Sequence, residues 1–124
     1  MKELTKAEEQ LMQILWGLEK AYLKDIVEQY PNPAPAYTTI STVVNVLVKK
    51  GFIGFETHGK SREYFPLISK EKYTRQSMNG LMSSFFDNSA KQFASFFASQ
   101  KDLSVEELQE IRKLIDDQIE QRKS

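Results

Sequence analysis

Residues 37–66, YTTISTVVNVLVKKGFIGFETHGKSREYFP, hold the pattern that decides the fold. Ile40, Val43, Val44, Leu47 and Val48 recur at helical spacing and form the stripe that a helix buries against a core. The opposite face carries Thr38, Ser41, Thr42, Asn45 and Lys49. Short hydroxyl and amide side chains form helix less readily than Glu, Lys or Gln, so a face built from them points to a need for their hydrogen-bonding groups. Gly51 follows Lys50 at the place where a left-handed C-terminal cap is wanted. Beyond it, Phe52-Ile53-Gly54-Phe55-Glu56-Thr57 and Glu63-Tyr64-Phe65 flank His58-Gly59-Lys60-Ser61-Arg62, the signal of a hairpin with a basic turn.

Working outward towards the N-terminus, Thr5-Lys6-Ala7-Glu8 has the form of a capping box that starts a first helix. Its expected buried stripe is Ala7, Leu11, Ile14, Leu15 and Leu18, and Gly17 weakens the pattern before Glu19-Lys20. A second helix is expected from about Leu23, burying Leu23, Ile26, Val27 and Tyr30, until Pro31, Pro33 and Pro35 impose a stiff connector. Trp16 is expected to pack against the protein rather than to stack on a ligand. Three helices followed by a hairpin make a winged helix-turn-helix over residues 1–68, within a mainly α chain whose β structure is a small hairpin.

Such a helix fits the DNA major groove, where Asn45 can bond adenine at two positions and a Thr or Val46 methyl can touch thymine. The expected DNA-binding residues are Thr38, Thr39, Ser41, Thr42, Asn45, Lys49 and Lys50 on the third helix and Lys60 and Arg62 on the wing. Charge is placed to match. The chain has 17 basic and 17 acidic residues and no net charge. Even so, residues 36–62 set Lys49, Lys50, Lys60 and Arg62 against Glu56 alone, while the stretch from Asp102 onward is acidic on balance. Lys49 and Lys50 also suit the negative end of the helix dipole.

Residues 69–124 have a different character. Ser69 can cap a helix bearing Met78, Leu81, Met82, Phe85 and Phe86, and Ala90, Phe93, Ala94 and Phe97 form a second, short stripe. Ser104-Val105-Glu106-Glu107 is another capping box, with Leu103 and Leu108 at the positions of a hydrophobic staple, leading into Leu108, Ile111, Leu114, Ile115 and Ile119. Three helices with this many phenylalanines have too little chain to bury them. A homodimer centred on Phe93, Phe97, Leu108, Ile111 and Ile115 is therefore expected of this C-terminal three-helix dimerisation region.

Composition narrows the function classes. At 40% apolar residues the chain has enough material for a folded core, and it holds no apolar run of the roughly 20 residues that a membrane helix needs. The start MKELTKAEE is acidic where a secretory signal would be basic and then apolar, so a cytoplasmic location is expected. Without cysteine there is no disulfide, thiol catalysis or thiolate metal site. The one histidine, His58, lies in the hairpin turn with no ligand spacing around it, and no phosphate-binding glycine loop occurs. No catalytic residue, metal, cofactor or small-molecule ligand is expected. A winged helix can also serve as a protein-interaction adaptor without specific DNA binding, and that is the alternative reading.

Leu4-Thr5-Lys6-Ala7-Glu8 with Ile14-Leu15-Trp16, then Tyr37-Thr38-Thr39-Ile40 through Leu47-Val48-Lys49-Lys50-Gly51, resemble the penicillinase repressor family of the BlaI/MecI type. The resemblance spans nearly the whole chain. It implies a bacterial homodimeric transcriptional repressor, with a winged helix on an operator in double-stranded DNA and a helical dimerisation region. It further implies derepression through proteolysis by a membrane-bound sensor metallopeptidase. Three departures stand out: Val46 where several relatives carry an Arg, no cysteine motif of the copper-responsive kind, and Phe96-Phe97 where antibiotic-responsive members have a scissile Asn-Phe bond.

Overall fold

The computed structural model describes residues 3–124. Its elements are α1 (Lys6–Leu18), β1 (Ala21–Tyr22), α2 (Leu23–Glu28), α3 (Tyr37–Lys49), β2 (Ile53–His58), β3 (Ser61–Pro66), α4 (Lys70–Phe85), α5 (Ala90–Ala98) and α6 (Val105–Lys123). The chain divides within α4 into two compact units, one ending at Ser77 and one from Met78 to Ser124. No helix among the described residues is long and apolar enough to cross a membrane.

The N-terminal unit is organised by its helix ends. The Thr5 hydroxyl accepts the Glu8 amide at 3.2 Å, and the Thr5 amide donates to the Glu8 carboxylate at 2.9 Å, which completes the expected capping box of α1. The buried stripe of this helix differs from the expected one: Ala7 is exposed, while Glu8, Leu11, Met12 and Leu15 are buried. Glu8 can occupy a core position because its carboxylate is fully engaged. Lys50 donates to both of its oxygens, at 2.8 and 2.9 Å, across 42 positions of sequence.

Helix α3 keeps its expected stripe, with Ile40, Val44 and Leu47 fully buried and Val43 and Val48 packed against the core. It ends as the sequence predicts. Gly51 adopts φ +83°, its amide donates to the Val48 carbonyl at 3.1 Å, and the Phe52 amide donates to Leu47 at 3.0 Å, the paired bonds of a Schellman cap. Phe52, the residue that seals such a cap, is itself buried.

The hairpin follows directly. His58 pairs with Ser61, so only Gly59 and Lys60 form the turn, and Gly59 supplies the positive φ of +62° that a two-residue loop demands in its first position. The strands are thus longer, and the turn tighter, than the five-residue basic turn expected from sequence. The sheet also gains a strand: Ala21 and Tyr22 pair antiparallel with Tyr64 and Glu63, giving the order β1-β3-β2. Trp16 packs within the unit as expected, its indole N–H donating to the Ile68 carbonyl at 2.8 Å. Tyr73, on the first turns of α4, closes the unit by lying 5.9 Å from both the Trp16 and the Phe52 rings and accepting the Leu4 amide at 3.3 Å.

The second unit is helical and buries none of the residues of α5 and α6. Phe86 meets Phe93 edge-on at 5.4 Å and Phe96 at 5.7 Å, and Phe93 stacks on Phe97 at 5.9 Å. Ser104 and Glu107 form the second expected capping box, with both bonds at 3.0 Å.

Burial on its own would raise the Glu8 carboxyl, but the Lys50 ammonium and the Thr5 amide outweigh it and hold the group below its ordinary value of 4.5. A depressed folded-state pKa stabilises the protein above the ordinary carboxylate range, and that contribution is lost as pH falls through the folded value. Lys50→Met should therefore cost about 3 kcal/mol in urea unfolding at about pH 7, since it strands a buried carboxylate. Much of that difference should vanish as the pH falls to about 3 and the stranded group takes up a proton.

Candidate nucleic-acid interface

The polar face of α3 and the wing come together along one groove. Tyr37, Ser41 and Asn45 line it from α3, Lys60, Ser61 and Arg62 from the hairpin, and Lys24 and Asp25 from the start of α2. The three α3 residues are spaced four apart, which stacks them on one line of the helix. Beside them Thr38, Thr39, Thr42 and Lys49 are exposed, and Ser41 is half-buried.

The Thr42 hydroxyl donates back to the Thr38 carbonyl at 2.9 Å, so its oxygen faces outward as an acceptor beside its methyl group. Asn45 is exposed and keeps both its donor and its acceptor available. Lys60 stands at the tip of the hairpin, and the Arg62 guanidinium lies over the Phe55 ring at 4.3 Å, held by cation–π attraction.

One expected site residue stands apart. Lys50 directs its ammonium into the buried Glu8 carboxylate and is not free for a phosphate, whereas Lys49 is exposed. Consecutive helix positions point about 100° apart, so the paired lysines have separate tasks. His58, expected in the hairpin turn, ends β2 instead and lies beside Glu63 at 3.3 Å and Glu56 at 3.7 Å. Tyr37 and Lys24 line the groove without having been expected there. The spacing of Tyr37 to Ser41 and Asn45 carried that information for Tyr37; for Lys24 only the packing of α2 does.

Comparison with known proteins agrees with this architecture. The sequence profile of the family described as Penicillinase repressor matches residues 4–117. The chain belongs to the penicillinase repressor family. Among its relatives, the Methicillin resistance regulatory protein MecI of Staphylococcus aureus (strain N315) is 25% identical over 91% of this chain and 93% of that protein. The Penicillinase repressor of Bacillus licheniformis is 20% identical over 98% of this chain and 95% of that protein. In fold, the chain is similar to the solution structure of the DNA-binding domain of the repressor BlaI, with a TM-score of 0.51 and 23% identity over 59% of this chain and 94% of that one. It is also similar to hsRosR-S4 in its complex structure, with a TM-score of 0.55 and 16% identity over 95% of this chain and 91% of that one. Membership in the penicillinase repressor family makes the chain a DNA-binding transcriptional repressor, in a family of regulators rather than enzymes.

The division between Lys50 and the exposed cations has a measurable signature. Lys60→Ala and Arg62→Ala should each weaken DNA binding at every sequence and reduce the slope of log affinity against log salt by about 1. Lys50→Ala should lower stability yet leave that slope unchanged.

Proposed function

We propose that this repressor acts as a homodimer on a two-fold symmetric operator, with α3 of each protomer in the major groove and the hairpin on the flanking phosphates. Residues 1–68, closed by Tyr73 at the start of α4, read the DNA, and the remainder of residues 69–124 holds the dimer. The observation that carries this reading is the single groove shared by the hydroxyl and amide face of α3 and the cations of the wing. Base edges are met by Thr38, Thr42 and Asn45; Thr39 and Ser41 reach bases or nearby phosphates, and Lys49, Lys60 and Arg62 meet the backbone. Half-sites about one helical turn or a small multiple apart follow from the two-fold arrangement.

The second unit supports the dimer. Ile111, Leu114, Ile115 and Ile119 border one shallow apolar depression along α6, and the last three remain 65%, 54% and 44% exposed in the single chain. Phe93 is half-buried against Phe86 and Phe97, and Leu108 and Ile111 are half-buried, so they contribute the base of the contact and the exposed Ile115 and Phe97 its surface. One winged helix offers few cations, so useful affinity comes from linking two of them.

Release follows from loss of that link. In the cytoplasm a membrane-bound sensor metallopeptidase cuts within residues 87–101, where Phe96 is 58% and Phe97 39% exposed. The cut leaves an intact DNA-reading head that no longer pairs.

Fluorescence titration against genomic fragments tests the reading at the operator. Asn45→Ala should relax base preference at one position of each half-site by roughly 1–3 kcal/mol while non-specific affinity holds. Uniformly feeble binding to every sequence would favour a protein-interaction adaptor instead.

Ile115→Glu places a charge in the dimer contact on a residue already exposed in the protomer. It should sediment as a folded monomer at micromolar concentration and lose operator binding. In limited proteolysis with mass analysis, the first cuts should fall within residues 87–101 and release an N-terminal fragment that binds the operator more weakly than the uncut protein.

A further inference from the structure

The outer face of the hairpin carries a cluster of side chains that DNA reading does not use. Glu56 and His58 are two apart on β2 and so project from the same face, and Glu63 stands directly across from Glu56 on β3. Tyr22 of β1 pairs with Glu63 and brings its ring to 6.3 Å from the imidazole, edge-on. Arg62, one position away from Glu63, belongs to the opposite face.

Two carboxylates directly opposed across a ladder repel each other, and a cation between them offsets that cost. Here Lys20 approaches both, at 3.7 Å from Glu56 and 3.6 Å from Glu63. It does so from a side chain that is 47% exposed and free to swing into solvent. His58 adds a ligand of a different kind. Its Nε2 lies 3.3 Å from Glu63 Oε1 and 3.7 Å from Glu56 Oε2, and one donor atom from each of the three residues falls within 4.8 Å of the other two.

Those separations have a geometric meaning. A tetrahedral Zn²⁺ with arms of about 2.0–2.1 Å requires its ligand atoms to stand about 3.3–3.4 Å apart. The histidine-to-carboxylate distances match or nearly match that edge before any side chain moves. We infer that Glu56, His58 and Glu63 form a binding site for a divalent cation of the Zn²⁺ class, with water completing the tetrahedron on the exposed side. The imidazole enters neutral, binding through Nε2, and the two carboxylates offset the charge of the ion. Lys20 and the metal compete for one anionic position, so the ion enters as the ammonium swings away. A bound ion ties β2 to β3 beside the turn that carries Lys60. The site itself stands independently of the operator reading.

The chain is well suited to the test because it holds a single histidine and no cysteine, so no other imidazole or thiolate can account for specific binding. Calorimetric titration of the untagged full-length protein with ZnCl₂, without DNA, should show one saturable site per protomer. The same titration followed by NMR should shift the His58 ring resonances. His58→Gln and Glu63→Gln should each abolish the site while leaving the circular dichroism spectrum unchanged. Lys20→Met should tighten it by about fivefold, the range that exposed ion pairs of this kind are worth. Absence of saturable binding up to about 1 mM, the weak end of measurable affinity, would overturn the proposal. So would binding that survives His58→Gln, and unchanged affinity in Lys20→Met would refute the placement of the ion between the two carboxylates.

Discussion

The contact between Glu8 and Lys50 sets the geometry on which the N-terminal unit depends. Glu8 belongs to the first turn of α1 and completes its capping box; Lys50 is the last residue before the chain turns left-handed at Gly51. Two hydrogen bonds to one buried carboxylate therefore pin the exit of α3 to the entrance of α1. With that end fixed and Ile40, Val44 and Leu47 fixed by the core, the polar face of α3 has only one direction in which to look. The Schellman cap then sends Phe52 inward and starts the hairpin at a set angle. The groove between α3 and the wing is a by-product of these constraints, none of which lies in the groove itself.

Much of this was legible in the sequence wherever the signal was local. Capping boxes at Thr5 and Ser104, the buried stripe of α3 and the glycine after Lys50 each have a short-range cause, and each formed as expected. What escaped was carried by contacts between distant segments. Strand β1 has two residues, too few to display any periodicity, and exists because Tyr64 and Glu63 pair with it. The partnership of Glu8 with Lys50 joins positions far apart in the chain, so the two lysines before Gly51 looked alike although only Lys49 is exposed. The same limit applied to His58. The sequence set it in the hairpin turn with no ligand spacing around it, and the approach of Glu63 required the exact register set by a two-residue turn.

The two units treat apolar side chains in opposite ways. The N-terminal unit places Leu11, Met12, Leu15, Ile26, Ile40 and Leu47 almost wholly out of solvent, while the C-terminal unit leaves Phe85 76% exposed and Leu114 65% exposed. Burial of apolar surface is the main favourable term in folding, so the second unit on its own lacks much of the driving force that the first possesses. Its helices are well started by Ser89 and Ser104 but poorly roofed. A unit of that kind gains order from whatever covers it, and in the proposed homodimer, where a second copy is the cover, its stability would depend on protein concentration.

The stacking of Arg62 on Phe55 has an entropic side. An arginine that must be immobilised by an incoming partner loses up to about 2 kcal/mol of rotamer freedom at the moment of contact. Here the guanidinium is already held 4.3 Å above an aromatic ring, and that ring in turn leans edge-on against Tyr64, a member of the core. Part of the freedom has gone at folding, so in the proposed complex the wing would meet DNA with a cation already aimed. On that reading Phe55, without touching the DNA itself, would help to determine how firmly it is held.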